Sequence, residues 1–458
     1  MANGRRVVVI GSGPVGAAAA RRLAERGCET TLLEAGEAVP LPDLATARPG
    51  EHLRNRPSFQ RAPDTFIDEA IRRCALYDPG APPEGLPGAC ETIAFGGQGL
   101  VWTNNCPRTQ AGLDRWPALD AAAWERRYAE AEALLHVATD QFERSQRQRR
   151  VATRLTVHLA AAGRRIERLP MAGRVDRRGD GIHFTATADV LADLGPAGQR
   201  LTVRCGVRAL RVEHRAGRVA AVRVATAAGD ERVEADAVVV AAGAFSTPRL
   251  LFASAIRPPA LGRWLHYHPL LLGQLVLDES LSAPPNTVDP PPRLWIPPAS
   301  AAPWHGMVLR DVGAGAPQEA ADERRLIELQ FFAPVEPRPE HHMTLDGAAP
   351  RFTVRLTEHD RATLAAMRAD VLAVGAALGR WRRGCEPNWN PWGFSHPMGT
   401  TRMGEDPASS VVDRHGRVHG FDNLYLAGPG LVPVAIAVNP TLTAVALALA
   451  TADRIAGA

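Results

Sequence analysis

The 458-residue sequence contains no lysine; all 53 of its basic residues are arginines. A Schiff-base nucleophile needs a lysine amine, and so does the phosphate grip of a P-loop, so pyridoxal-phosphate enzymes and Walker-type ATPases are excluded. Aromatic residues are scarce at 5%, and the formal net charge is only +4. Neither a base-stacking platform nor electrostatic attraction to nucleic acid or an anionic membrane is therefore expected. The six cysteines (Cys28, Cys74, Cys90, Cys106, Cys205 and Cys385) form no CxxC pair and no metal-ligand spacing. Reduced thiols in a cytoplasm fit that scatter, and no metal site is expected. Long apolar runs are missing too. "MANGRRVVVIGSG" carries only four apolar residues before its glycines, too few for a secretory signal core. "TLTAVALALATA" is too short to span a bilayer and reads as a buried helix. The expectation is a cytoplasmic protein without a membrane partner, its oligomeric state unread.

With 45% hydrophobic and 22% charged residues the composition is globular, and the length exceeds what one core usually supports, so two domains are expected. "VVVIGSGPVGAAAARRLAERGCETTLLEAGE" reads element by element. Val7 to Ile10 is a β-branched run suited to a strand buried on both faces. Gly11, Gly13 and Gly16 form G-x-G-x-x-G, an alanine-rich helix follows from Ala17 to Arg26, and "TTLLE" returns as a second strand. Gly11 permits the tight turn, Gly13 lets a pyrophosphate approach the backbone, and Gly16 allows close helix packing. The helix N-terminus offers free N–H groups to phosphates. Glu34 ends the second strand 23 residues after Gly11, where a carboxylate can bond a free ribose 2′-hydroxyl. The expected ligand is NAD or FAD.

Two further strands follow this pattern. "ADAVVVAAGAFSTPRLL" (235–251) breaks at Ala242-Gly243 before a helix, and "NLYLAGPG" (423–430) ends in the turn at Gly428. "LTVRCGVRALRVEHRAGRVAAVRVAT" alternates as a strand and a hairpin. Strand ends of this kind converge on one crevice in a doubly wound sheet. Because these motifs are dispersed, segments 1–110, 190–265 and 385–458 are expected to build the nucleotide fold. Segments 111–189 and 266–384 are then expected to build a substrate domain, with "WERRYAEAEALLHV" as an amphipathic helix and "HMTLDGAAPRFTVRL" as a hairpin.

At five stretches the sequence resembles the glucose–methanol–choline family of FAD-dependent alcohol oxidoreductases, above all its pyranose oxidase-like branch. In the family's order they are "VVVIGSGPVG", "FGGQGLVWTNNCPR", "VVVAAGAFSTPRLL", "SHPMGTTRMG" with "NLYLAGPG", and "VNPTLTAVALALATADRI". "ALGRWLHYHP" and "PRPEHHMTLDGAAPRFTV" match more weakly. The resemblance implies an α/β fold, with a doubly wound FAD-binding (Rossmann-like) domain interleaved with a sheet-plus-helices substrate domain. It implies that Glu34 holds the adenosine ribose, that the Val207 backbone meets the adenine, and that Gly243 and Gly428 lie at the nucleotide crevice, Gly428 near the pyrophosphate. Gly96, Gly97 and the backbone through Trp102 and Thr103 would wrap the flavin. His396 and Asn439 match the family's catalytic pair. Some pyranose oxidases tether the flavin through a histidine before the tryptophan; that position is Val101 here, so FAD is expected to be non-covalent.

The chemistry agrees with those roles. Oxidising an alcohol removes a hydride and a hydroxyl proton, and a histidine suits the proton because its pKa lies near neutrality. Asn439 would donate to the substrate oxygen as charge develops. Pro440 suits a helix start, and the helix from Thr441 would aim its positive end at the flavin. The expected partners are a sugar-like polyol and oxygen or another electron acceptor. An aminosugar of aminoglycoside biosynthesis is the favoured substrate, with a pyranose ring hydroxyl as the rival. A flavin-containing lyase and a catalytically silent FAD-binding protein stay open as readings of other classes. Bland surface roles are expected for His266, His268, His341 and His342, and Arg402 is expected to brace the turn that presents His396. The run 143–154 reads as the solvated face of a helix. The proline-rich stretch 282–303 reads as a loop near the substrate mouth, neither strand nor helix.

Overall fold

The structure is a computed structural model that describes residues 4–39, 48–55, 84–86, 88–175, 181–285, 287, 289–310, 317–346, 350–390 and 396–457. Its first sheet has five strands, all parallel, in the order Leu424–Leu426, Ala237–Val240, Arg6–Ile10, Glu29–Leu33 and Leu201–Arg204. Val7, Val8, Val9 and the whole of Ala237–Val240 are buried, as β-branched strands covered on both faces should be. The register sets Val8 between Val238 and Thr31. The helix Pro14–Glu25 packs against the C-terminal helix Thr441–Ala456, and the helix Ala121–Leu135 packs on the latter in turn. A three-stranded meander, Arg208–Arg215, Arg218–Thr226 and Gly229–Glu234, leads back into the sheet. This is the doubly wound α/β architecture expected.

The second sheet has seven antiparallel strands, built around Leu270–Leu277 and Leu326–Phe332. Every residue of those two strands is buried, which hides an alternation with period two. Leu271, Leu275, Ile327, Leu329 and Phe331 face a core shared with the helices Gln146–Ala160 and Glu358–Leu378. Leu270, Leu272, Gln330 and Phe332 face the other way, into a cavity. The antiparallel sheet is thus a floor with one side packed on helices and one side that lines the cavity.

Several expectations give way to the packing. Segment 111–189 divides between the cores: Trp124, Tyr128 and Leu135 join the parallel-sheet core, whereas Val151, Leu155 and Leu159 join the other. The run 143–154 is not wholly solvated, because Arg147 is buried in an ion pair with Asp289 at 2.9 Å. The proline-rich stretch does contain a strand, Leu294–Ile296, which its flanking prolines allow by lying outside the pairing with His305–Leu309. None of its described residues lines the cavity. The expected hairpin pairs His342–Met343 with Phe352–Thr353, and residues 347–349 of its turn lie outside the described residues. Of the four histidines given surface roles only His342 fits; His266, His268 and His341 are at most 1% exposed. His266 and His268 precede the Leu270–Leu277 strand rather than lying on it, and His266 bridges to Met398. Among the described residues no helix is long and apolar enough to cross a membrane.

Candidate active site

A cavity of about 950 Å³ runs from the first glycine turn to the face of the antiparallel sheet. That is at the upper end for small-molecule sites. At its nucleotide end the three motif glycines do different work. Gly11 has φ +101°, and a Cβ there would meet the Ala241 carbonyl oxygen at 2.5 Å. A Cβ on Gly16 would sit 1.9 Å from the Gly11 carbonyl oxygen, so Gly16 stands behind the turn rather than in the cavity wall. Gly13 lines the cavity, and a Cβ there would meet nothing within 4 Å. Gly428, φ +128°, is open in the same way. These are cradles that a side chain would fill, as a closely approaching pyrophosphate requires.

Ser12 knits the cradle together. Its N–H and Oγ donate to Glu34 Oε2 at 3.1 and 2.6 Å, its Oγ accepts from the Gly96 N–H at 2.9 Å, and its carbonyl accepts from Thr187 Oγ1. Glu34 Oε1 accepts from the Gly36 N–H at 2.8 Å. Burial pushes the Glu34 carboxyl up, against the downward pull of these hydrogen bonds. Val207 lines the cavity, and its N–H is committed to the Glu34 carbonyl. Where the Ala237–Val240 strand ends, Gly243 opens a helix whose first N–H groups are capped by Glu91: Oε1 accepts from Phe245 and Ser246 at 2.9 and 3.2 Å. Burial raises the Glu91 carboxyl to about 6. Neither Ser12 nor Glu91 carries a mark in the sequence beyond its polarity.

Further along, Gly97, Val101, Trp102 and Thr103 line the wall, while Gly96 backs it. Trp102 donates through Nε1 to the Thr185 carbonyl, and its own carbonyl accepts from His52 Nε2 at 3.0 Å. His52 Nδ1 accepts from the Arg54 N–H, so both ring nitrogens are engaged.

His396 and Asn439 face the far end of the same cavity, brought there by different elements. His396 precedes a turn held by Arg402, whose N–H donates to the Gly399 carbonyl and whose guanidinium lies 4.4 Å from the Trp264 ring centre. Asn439 ends the approach to the C-terminal helix, with Pro440 at the cap position and Thr441 as the first helical residue. Among the described residues the buried Asn439 Oδ1 has no hydrogen-bond partner. Burial lowers His396 to about 4, so its ring is neutral at neutral pH. His396 Nδ1 lies 2.5 Å from Nε2 of His268, whose Nδ1 is 3.3 Å from the Ile436 carbonyl oxygen. Phe332 packs on both rings. Gln330, Asn105 and Asn390 are further polar residues of the cavity wall. His268 is the residue the sequence undervalued; its "HYHP" context gives no sign of a partner 128 positions away.

All fifteen residues picked from the sequence therefore meet at one cavity, thirteen in its wall and two (Gly16 and Gly96) directly behind it. The protein-family description "FAD dependent oxidoreductase" matches residues 6–372, and "GMC oxidoreductase" matches residues 337–448. The chain is 30% identical to a pyranose 2-oxidase of Tricholoma matsutake, covering 98% of this chain and 93% of that one. It is 32% identical to a C-glycoside 3-oxidase of Microbacterium trichothecenolyticum, covering 98% and 96%. In fold it is similar to pyridoxine 4-oxidase from Mesorbium loti, with a TM-score of 0.70 at 19% identity over 98% of this chain and 99% of that one.

Proposed function

The chain belongs to the GMC oxidoreductase family of FAD-dependent oxidoreductases, and on that premise we propose that it oxidises a secondary ring hydroxyl of a neutral sugar or glycoside to the ketone. The observation that carries this reading is that His396 and Asn439 share one cavity with the open glycine cradle. The residues fit FAD: Gly13 and Gly428 leave room for its pyrophosphate, Glu34 for its ribose, and Trp102 and Thr103 border the flavin end. When bound, FAD supplies the hydride acceptor.

The protein's own part is to hold and deprotonate the alcohol. His396, neutral and buried, takes the hydroxyl proton. Asn439 donates its amide N–H to the same oxygen as negative charge develops. The C-terminal helix points its N-terminus, at Thr441, into the cavity and adds a partial positive charge there. Non-covalent FAD is supported by the valine at position 101 and by the state of His52, bonded to the Trp102 carbonyl, and of Cys90, in the cavity wall. His52 has both nitrogens engaged, and burial pushes the Cys90 thiol up to about 11, so neither is a ready nucleophile.

The cavity's charge favours a neutral substrate over an aminosugar. Both carboxylates among its described lining residues, Glu34 and Glu91, are held by local donors. A polycationic ligand would find no carboxylate near His396 among the described lining residues. The two relatives named above are oxidases of a pyranose and of a C-glycoside, which points the same way.

An anaerobic titration of the purified protein tests this, following the yellow absorbance while free pyranoses, C-glycosides and aminoglycoside precursors are added singly. Bleaching by a neutral sugar is expected, and admitting air then separates an oxidase from a dehydrogenase. Bleaching by aminosugars alone would overturn the substrate class. A colour that no polyol bleaches would return the protein to the lyase or silent-binder readings.

A further inference from the structure

We propose that His268 is a positioning residue that fixes the tautomer of His396, directing the Nδ1 proton of His396 inward and its bare Nε2 toward the substrate. This rests on the reading of His396 as the proton acceptor. The argument needs only donors and acceptors. A carbonyl oxygen can only accept, so the contact between Ile436 O and His268 Nδ1 requires the proton on that nitrogen. A neutral imidazole has one N–H, so His268 Nε2 is left with a lone pair. Opposite it, at 2.5 Å, stands His396 Nδ1. Two lone pairs at that separation would repel, so His396 carries its proton on Nδ1 and none on Nε2. A neutral His268 is what its burial favours.

The surroundings hold this arrangement. The two imidazoles meet edge to face at 84°, with centroids 4.7 Å apart, and the Phe332 ring packs at 4.8 Å from His268 and 5.7 Å from His396. His305 also stacks on Phe332, with centroids 5.2 Å apart, and its Nδ1 accepts from Trp295 Nε1; its proton is then on Nε2, so it has no lone pair left to compete for the His396 proton. When Nε2 of His396 takes the substrate's proton, the Nδ1–H bond to His268 becomes charge-assisted and strengthens. His268 therefore favours both the productive tautomer before transfer and the imidazolium after it. Without an acceptor at that place, the ring is free to adopt the other tautomer, which presents an N–H where a base is needed.

The test uses the FAD-loaded full chain. Long-range proton–nitrogen correlation spectra of ¹⁵N-histidine-labelled protein should show His396 protonated at Nδ1 and unprotonated at Nε2; the reverse assignment would overturn the proposal, even if every variant failed to fold. His268→Leu should keep its FAD, lower kcat by about 10- to 100-fold and change KM by less than about threefold. His268→Gln, which can set an amide oxygen where Nε2 stood, should return kcat to within about threefold of the parent. Full-rate turnover by His268→Leu alongside a slow His396→Ala would sink this inference alone. Full-rate turnover by His396→Ala would sink the underlying reading instead.

Discussion

The two ends of the cavity are built on opposite principles. The cradle end is made of backbone: the glycines at 13 and 428 leave open space, Gly11 makes the tight turn, and Ser12 and Glu34 hold the loops together. The far end is made of side chains on a buried sheet face and two approaching turns, with His396, Asn439, Gln330 and Phe332 each presenting particular atoms. A site built from backbone fails when something is added to it. A site built from side chains fails when something is taken away.

That contrast orders the expected effects. Gly16→Val should be the most severe, because even its first carbon would lie 1.9 Å from the Gly11 carbonyl. Strand and helix must then part, and soluble expression or the thermal transition should be lost; a variant that melts like the parent would contradict the close packing. Next is His396→Ala, which removes a side chain and leaves the cradle untouched. It should purify yellow yet show flavin reduction slowed by about 10² to 10⁴-fold in stopped flow. Gly13→Val should separate the two properties from the other direction. Its side chain enters empty space, so the fold should persist while FAD affinity falls by about 10- to 100-fold, read by fluorescence titration of the apoprotein. If Gly13→Val held FAD normally, the cradle would not be read through its backbone.

The smallest effect is the most general. Burial lowers His52 and His305 to about 3, His266 and His396 to about 4, and His268 well below its ordinary value. An unfolded chain takes up these protons near pH 6.5 and the folded one does not, so stability falls as the pH drops from 6.5 toward 4. Each histidine contributes about 1.4 kcal/mol per pH unit within its window. Glu91 and Asp114, both raised to about 6 by burial, work the other way over a narrower range and offset part of the loss. The melting temperature should decline steadily between pH 6.5 and 4.5, whereas kcat/KM, which needs only a neutral His396, should fall on its acid side at a pH well below 6.5. A melting temperature that rises on acidification would refute the burial of these rings.

The same contrast explains what was legible in advance. Backbone requirements leave glycines at fixed spacings, so the cradle, its strands and the acid that closes the second strand could be read from residues 7 to 34. His396 and Asn439 stood out through family resemblance, since a histidine before a proline and an asparagine before another are individually ordinary. His268 left no such mark. Its meaning lies in a contact with a residue 128 positions away, and no periodicity encodes that. The Leu294–Ile296 strand was hidden for a local reason, its prolines falling just outside the paired residues. Arg147 looked like one more charge in an arginine-rich helix, but Asp289 draws it inside.

The strand order of the parallel sheet also has a consequence for synthesis. Arg6–Ile10 is synthesised more than two hundred residues before its neighbour Ala237–Val240, and Leu424–Leu426 comes later still. Until then the first strand has only Glu29–Leu33 beside it, and the apolar edge meant for Ala237–Val240 is uncovered. Long-range pairing of this kind is slow and leaves nascent chains prone to aggregation. His396 and Asn439 flank the last strand to arrive, so a ribosome that stalled before residue 424 would release a chain that lacks both a closed sheet and Asn439.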